Sequence, residues 1–344
     1  MTFGKGDPFV QVINFIISMI ALCMVFITGA AIAILYINFS DKVKESPAAD
    51  PAAAVPKQNV SEVWTAPDST LIPETPEGDM IRYGKDLISY TSTYLGPRGK
   101  VAKISNGMNC QNCHLKSGTV PFGNNYAGVV STYPKFRARS GGVETIEKRI
   151  NDCIERSLNG QQLQENSVEM RAIIAWFRWV GKDVKPGTIP KGTGITSLPF
   201  LRRPADPVRG KKVYVKHCQL CHGAEGEGYK DPAGSEWKYP PLAGPGSYNT
   251  GAGLFRLSRF AGYVKSNMPY GTTWLNPVLS DEDAWDVAAY VNSLQRPEKH
   301  FSEDWPEIAS KPFDHPFGPY ADKFSENQHK YGPFEPILKA STQQ

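Results

Sequence analysis

Cysteine is scarce in this chain, charge is almost balanced, and neither strand alternation nor a βαβ rhythm runs through it. Thirty-eight Lys and Arg against 34 Asp and Glu leave a net charge of +4 over 344 residues. That is too little to argue for a nucleic-acid partner or an anionic membrane surface. The lack of β patterning points away from sandwich and doubly wound folds and toward an all-α chain. Charge is missing altogether between Asp7 and Asp41. Only six cysteines are present, so any ordered cysteine pattern is informative. Glycine (31) and proline (28) are plentiful by contrast, which predicts short helices separated by substantial loops.

Four of the six cysteines fall into two copies of one pattern, Cys110-Gln-Asn-Cys113-His114 and Cys218-Gln-Leu-Cys221-His222. C-x-x-C-H is the attachment signature of a c-type haem. The two thiols add to the haem vinyl groups and the histidine binds the iron. The competing reading is a reduced C-x-x-C pair beside a stray histidine. Its recurrence favours two covalently bound haem c groups.

The uncharged stretch has an apolar core from Phe15 to Tyr36. As a helix rising about 1.5 Å per residue it would cross a bilayer of roughly 30 Å. We therefore expect a single transmembrane anchor over 12–39, after an N-terminal segment 1–11, with Cys23 embedded in the span. A cleaved signal peptide, giving a soluble periplasmic protein, is the alternative, though no clear A-x-A site follows the run. Residues 40–59 hold a Pro/Ala-rich linker, Ser46 to Lys57, of the semi-extended kind. Because c-type haem is attached outside the bacterial cytoplasm, the haem domains are expected on the periplasmic side.

The rest reads as one plan used twice, in an N-terminal haem domain (60–190), a C-terminal haem domain (191–297) and a tail (298–344). In the second, a helix over Asp206–Gln219 leads into the motif, a helix follows over Ala252–Lys265, and Met268 sits in a Pro/Gly-bounded loop. A closing helix starts at the Ser280 cap, with acidic residues in its first turn. This is the order of a class I cytochrome c, with Met268 as sixth ligand. In the first domain a helix over Asp79–Leu95 precedes the motif, and a closing helix runs from Asn166-Ser167 to Gly181. Met268 lies 12 positions before its helix cap; Cys153 lies 13 before Asn166. Cys153 is also the cysteine left over once the haems and the span have taken theirs. It is thus the candidate ligand of the first iron, with Met170 as the rival within the closing helix.

Residues 142–160 read as a helix stopped by Asn159-Gly160. Arg149, Cys153 and Ser157 are each four apart and share one face. Arg137 and Arg139 precede them in a glycine-rich turn. A guanidinium beside a thiol favours the thiolate, and paired arginines suit an anion. Lys148 and Arg156 read as solvated surface charges. Thiolate ligation lowers a haem potential where methionine raises it, so the two sites are expected to differ in potential. The tail holds many aromatic residues among its prolines and reads as an ordered strap with little helical periodicity.

These residues resemble the thiosulfate dehydrogenase family of dihaem cytochromes c. The resemblance is carried by Cys110–Leu115, Gly118-Thr119, Tyr133-Pro134, Arg149–Cys153 with Arg156–Gly160, Tyr239–Leu242, Gly251–Gly253, Asn267–Pro269, Asp286–Tyr290, Arg296-Pro297 and Gln328–Pro333. It covers about 78–337. It implies an active site at the first haem, ligated by His114 and Cys153, where two thiosulfate ions are reversibly coupled to tetrathionate. Cys153 is implied to act through a sulfur adduct, with Arg139 and Arg149 binding anions and Ser157 nearby. Electrons would leave through the second haem, ligated by His222 and Met268, to a cytochrome-type acceptor. Some members carry lysine before that methionine; Asn267 stands there in this chain, which implies stable His222/Met268 ligation. Many members are soluble, whereas an anchor is expected here. Two further readings compete: an anchored dihaem electron-transfer subunit without its own substrate, and a partner cytochrome of a sulfur carrier protein.

Overall fold

The computed structural model describes residues 62–341 apart from 233 and 235, together with 15, 17, 19, 20, 22–24 and 26–29. Two units separate, Met1–Val60 and Ser61–Gln344. In the first, the described residues are helical and exposed, Cys23 among them. The expected membrane-spanning helix over 12–39 does not hold. Among the described residues no helix is long and apolar enough to cross a membrane. The remainder of 12–39 and the linker 40–59 lie outside the described residues.

The second unit is helical, with two small hairpins. In its first half, α1 (Pro76–Ser89) and α2 (Thr91–Leu95) precede the first haem motif. The turn α3 (Leu115–Gly118) and α4 (Val129–Thr132) follow the motif. Then come the strands β1 (Lys135–Arg137) and β2 (Gly142–Glu144), α5 (Ile146–Arg156) and α6 (Val168–Val180). The second half holds α7 (Pro207–His217) and α8 (Gln219–His222), β3 (Tyr229–Lys230) and β4 (Trp237–Tyr239). It ends with α9 (Leu257–Asn267) and α10 (Asp281–Ser293). The tail adds α11 (Glu326–Tyr331) and α12 (Glu335–Ser341).

The closing helices begin where their caps direct. The Ser167 side chain accepts from the Met170 amide, and the Ser280 side chain accepts from the Asp283 amide, each satisfying an amide that the first turn leaves unpaired. In each half the opening helix crosses the closing helix at a glycine. A Cβ on Gly84 would lie 1.9 Å from the Ala172 carbonyl oxygen, and one on Gly210 would lie 1.8 Å from that of Asp286. Only glycine lets the backbones approach so closely. Around each crossing sits an apolar core. One holds Leu87, Ile88, Met170, Ile173, Trp176 and Phe177; the other holds Tyr214, Phe260, Trp285, Val287, Val291 and Phe334.

Several boundaries differ from the sequence reading. The stretch 142–160 is not one helix. Its first three residues pair antiparallel with β1, and the Thr145 side chain caps a helix that starts only at Ile146. The stretch 252–265 is interrupted at Arg256, whose backbone is extended, and the helix then runs on to Asn267, with Met268 as its C-cap. The tail contains two helices. The second buries Ile337 in the second core, beside Phe334. These contacts come from chain remote in sequence, so local periodicity does not reveal them.

Candidate haem-bearing active site

The first motif is held by polar contacts that shape its turn. Cys110–Asn112 forms a single 3-10 turn, with the Asn112 side chain accepting from the Asn109 amide at 2.7 Å. The Asn109 side chain in turn accepts from the Ser92 amide at 2.7 Å, and Thr91 Oγ1 accepts from the Cys110 amide at 3.0 Å. His114 Nδ1 donates to the Asn124 carbonyl. A carbonyl partner places the proton on Nδ1 and leaves Nε2 as the metal-binding nitrogen. The Tyr126 ring stacks on the imidazole with centroids 4.6 Å apart. Gly118, at φ +79°, makes room for it, since a Cβ there would lie 2.0 Å from the tyrosine ring.

Beside this motif lies an apolar cavity of about 1040 Å³, counted out to its solvent-open mouth. Cys110, Cys113, His114, Arg149, Cys153 and Ser157 all line it. The face shared by Arg149, Cys153 and Ser157 therefore looks across the cavity from α5 toward the motif. Met170 is fully buried in the core and is not among the lining residues. Burial pushes the Cys110 thiol up to about 11 and the Cys113 thiol to about 12, and holds His114 down at about 4. Two buried thiols and a neutral imidazole around an apolar cavity suit a covalently attached haem.

Arg149 is half-buried, and the Cys153 sulfur raises its pKa well above the ordinary arginine value. Arg139 does not line the cavity. It sits on the turn between β1 and β2, its pKa lowered to about 10 by burial first and then by Arg156 and Arg149. Among the described residues neither Arg139 nor Arg149 has a carboxylate ion pair. Arg137 does: its Nε lies 3.8 Å from the buried Glu144 carboxylate.

Arg156 corrects the sequence reading. Expected as a solvated charge, it is buried at 6% exposure. Its two terminal nitrogens donate to the Asp304 carboxylate at 2.7 and 2.8 Å, and it lies 3.6 Å over the Phe301 ring. Both partners belong to the tail, about 150 positions away, so the helix alone carries no sign of them. Lys148 is exposed enough to fit its expectation, pairing loosely with Asp152 at 3.5 Å.

The second motif repeats the histidine arrangement. His222 Nδ1 donates to the Pro240 carbonyl at 2.8 Å, again freeing Nε2, and burial lowers its pKa. Cys218 and Met268 are partly buried against the second core; Cys221 stands in α8 beside His222. The two halves meet close to both motifs. Tyr263 Oη donates to the Asn112 carbonyl at 3.1 Å, and the buried Asn267 side chain donates to the Phe122 carbonyl at 3.1 Å. Sequence reasoning missed these ties and the carbonyl partners of both histidines, because backbone oxygens carry no residue signature.

Comparison with known proteins agrees with this architecture. Residues 207–295 match the family described as cytochrome c, and residues 100–185 match the SoxA/TsdA cytochrome c domain. A thiosulfate dehydrogenase from Psychrobacter arcticus is 36% identical over 241 residues, 70% of this chain and 71% of the relative. One from Allochromatium vinosum is 38% identical over 237 residues, 68% of this chain and 84% of the relative. Among solved structures, the thiosulfate dehydrogenase TsdBA from Marichromatium purpuratum, in its as-isolated form, aligns with a TM-score of 0.64 at 32% identity. That alignment covers 74% of this chain and 53%, about half, of the other. Two cytochrome c domains, each with its attachment motif, imply covalently bound haem c in both. With 36–38% identity over 68–70% of its length, the chain belongs to the thiosulfate dehydrogenase family.

Proposed function

We propose that this protein is a dihaem thiosulfate oxidoreductase whose reaction centre is the cavity between the first motif and α5. The observation that carries the reading is the face of α5. It sets Arg149 and Cys153 one turn apart on the wall of the cavity that Cys110, Cys113 and His114 also line. The bound haem would accept electrons one at a time as two thiosulfate ions join into tetrathionate, two electrons being released per sulfur–sulfur bond formed.

The chain's own residues divide the remaining work. Cys110 and Cys113 would attach the first haem, with His114 and Cys153 as ligands of its iron. Arg149 and Arg139 would hold the dianionic substrate, each as a charge-assisted donor free of a competing carboxylate. Ser157, on the same face, would offer a hydroxyl at the rim. Cys218 and Cys221 would attach the second haem, with His222 and Met268 as ligands. The Tyr263 and Asn267 contacts support a short passage between the sites. Electrons would then leave to an external cytochrome-type acceptor. Since c-type haem is attached on the exoplasmic side, we place the reaction in the periplasm.

Replacing Cys153 by methionine tests the reading. Both haems are retained, by pyridine haemochrome assay, and thiosulfate-dependent acceptor reduction falls to background. Full activity in that variant would overturn it and favour an electron-transfer subunit without its own substrate.

A further inference from the structure

Arg139 lies outside the cavity wall and has no ion pair among the described residues, so something else must direct it. The tail supplies the contact. The Trp305 amide donates to the Arg139 carbonyl at 2.7 Å, and the Arg139 guanidinium lies 5.8 Å over the Trp305 ring. That distance is within reach of a cation–π interaction. We propose that Trp305 is a positioning residue for the substrate anion: it holds Arg139 by ring and backbone together, so that the guanidinium stays available to a thiosulfate oxygen.

The placement of Trp305 is over-determined. Trp305 has φ +62°, a left-handed conformation that a bulky side chain rarely adopts unless its surroundings enforce it. Three contacts enforce it. On one side Asp304 is locked by the two-pronged bond to Arg156, the residue three after Cys153. On the other, Pro306 packs on Gly141; a Cβ there would lie 2.5 Å from the proline ring, so glycine is required at that turn. Behind the indole, His315 meets it edge-on with centroids 5.6 Å apart.

The charge arrangement makes the tryptophan useful. Arg156 is paired with Asp304, whereas among the described residues neither Arg139 nor Arg149 has a carboxylate ion pair. Had an acidic residue stood at 305, Arg139 would pair with it and be lost to the substrate. An aromatic ring orients a guanidinium without consuming its donors. The strap thus disposes of one arginine with a carboxylate and presents another with a ring.

This inference rests on the assignment of Arg139 to anion binding, and the test separates the two. Trp305→Leu, in the holoprotein, should raise KM for thiosulfate about tenfold with kcat within twofold, and Trp305→Phe should restore most of the loss. The same order should appear in equilibrium binding of sulfate, an unreactive oxyanion of similar shape, measured by calorimetry. In an Arg139→Gln background, Trp305→Leu should add nothing, because the two act as one unit. Asp304→Asn, which frees the strap while sparing the ring, should raise KM in the same sense, and serves if Trp305→Leu does not fold. If Arg139→Gln weakens binding while Trp305→Leu and Asp304→Asn do not, the positioning role is overturned and the anion site stands. If Arg139→Gln itself leaves KM and sulfate affinity unchanged, both are overturned.

Discussion

The two halves of the molecule hold the same motif in the same way and differ in what faces it. In both, a histidine Nδ1 donates to a backbone carbonyl, and an opening helix crosses a closing helix at a glycine. In the first half the facing residue, Cys153, stands inside a full helix with Arg149 one turn before it. In the second, Met268, the ligand proposed for that site, stands at the end of a helix, with Asn267 before it. A ligand at a helix end can be tuned by its loop with little else involved. A ligand within a helix brings the neighbours at i−4 and i+4 to the same void. On the proposed ligand assignment, the two sites differ in the facing element while the attachment is alike.

The comparison breaks most completely if the first site is made to resemble the second. Cys153→Met should keep both haems, abolish turnover and raise the potential of the first haem; potentiometric titration followed optically reads the shift. Next in size is the shared crossing. Gly84→Ala and Gly210→Ala should each destabilise the holoprotein by about 3 kcal/mol or more, since a methyl group would meet a carbonyl below 2 Å. Thermal unfolding should show similar losses for both. Arg149→Gln should raise KM for thiosulfate roughly 10- to 100-fold with both haem spectra retained, as expected for one charge-assisted contact. Asn267→Leu should cost about 1–2 kcal/mol by leaving the Phe122 carbonyl unpaired, and should alter the second haem's potential more than the first's.

The smallest effect is one of pH. Burial holds His315 at about 4, below its ordinary 6.5. The folded state therefore binds fewer protons than the unfolded state between those values, and stability falls as pH drops from about 6.5 toward 4. Above 6.5 His315 contributes no slope. His315→Phe should flatten that part of the profile, seen in melting temperatures at pH 7, 5.5 and 4.5.

Much of the plan was legible in the sequence because it is local. The C-x-x-C-H pairs, the serine caps at Ser167 and Ser280, and the four-residue spacing of Arg149, Cys153 and Ser157 are all short-range signals. What escaped was long-range. The burial of Arg156 depends on Asp304, and the tail helices depend on a core built by other segments. Strand β2 needs its partner Lys135–Arg137, which lies outside a window over 142–160. The apolar run near the N-terminus shows the opposite error: composition alone implied a spanning helix that the described residues do not provide.

Cys110 follows Gly84 by 26 positions, while Cys218 follows Gly210 by only 8. The crossing needs none of the additional chain. Yet Ser92 and Thr93 from it bond to Glu236, and Asn106 bonds to the carbonyls of Gly246 and Ser247. The first half thus carries a built-in bracket, grown from a loop, that grips the second half near the strand leading into its histidine's carbonyl partner. The longer path from helix to motif thus adds its own grip to the ties that Tyr263 and Asn267 make from α9.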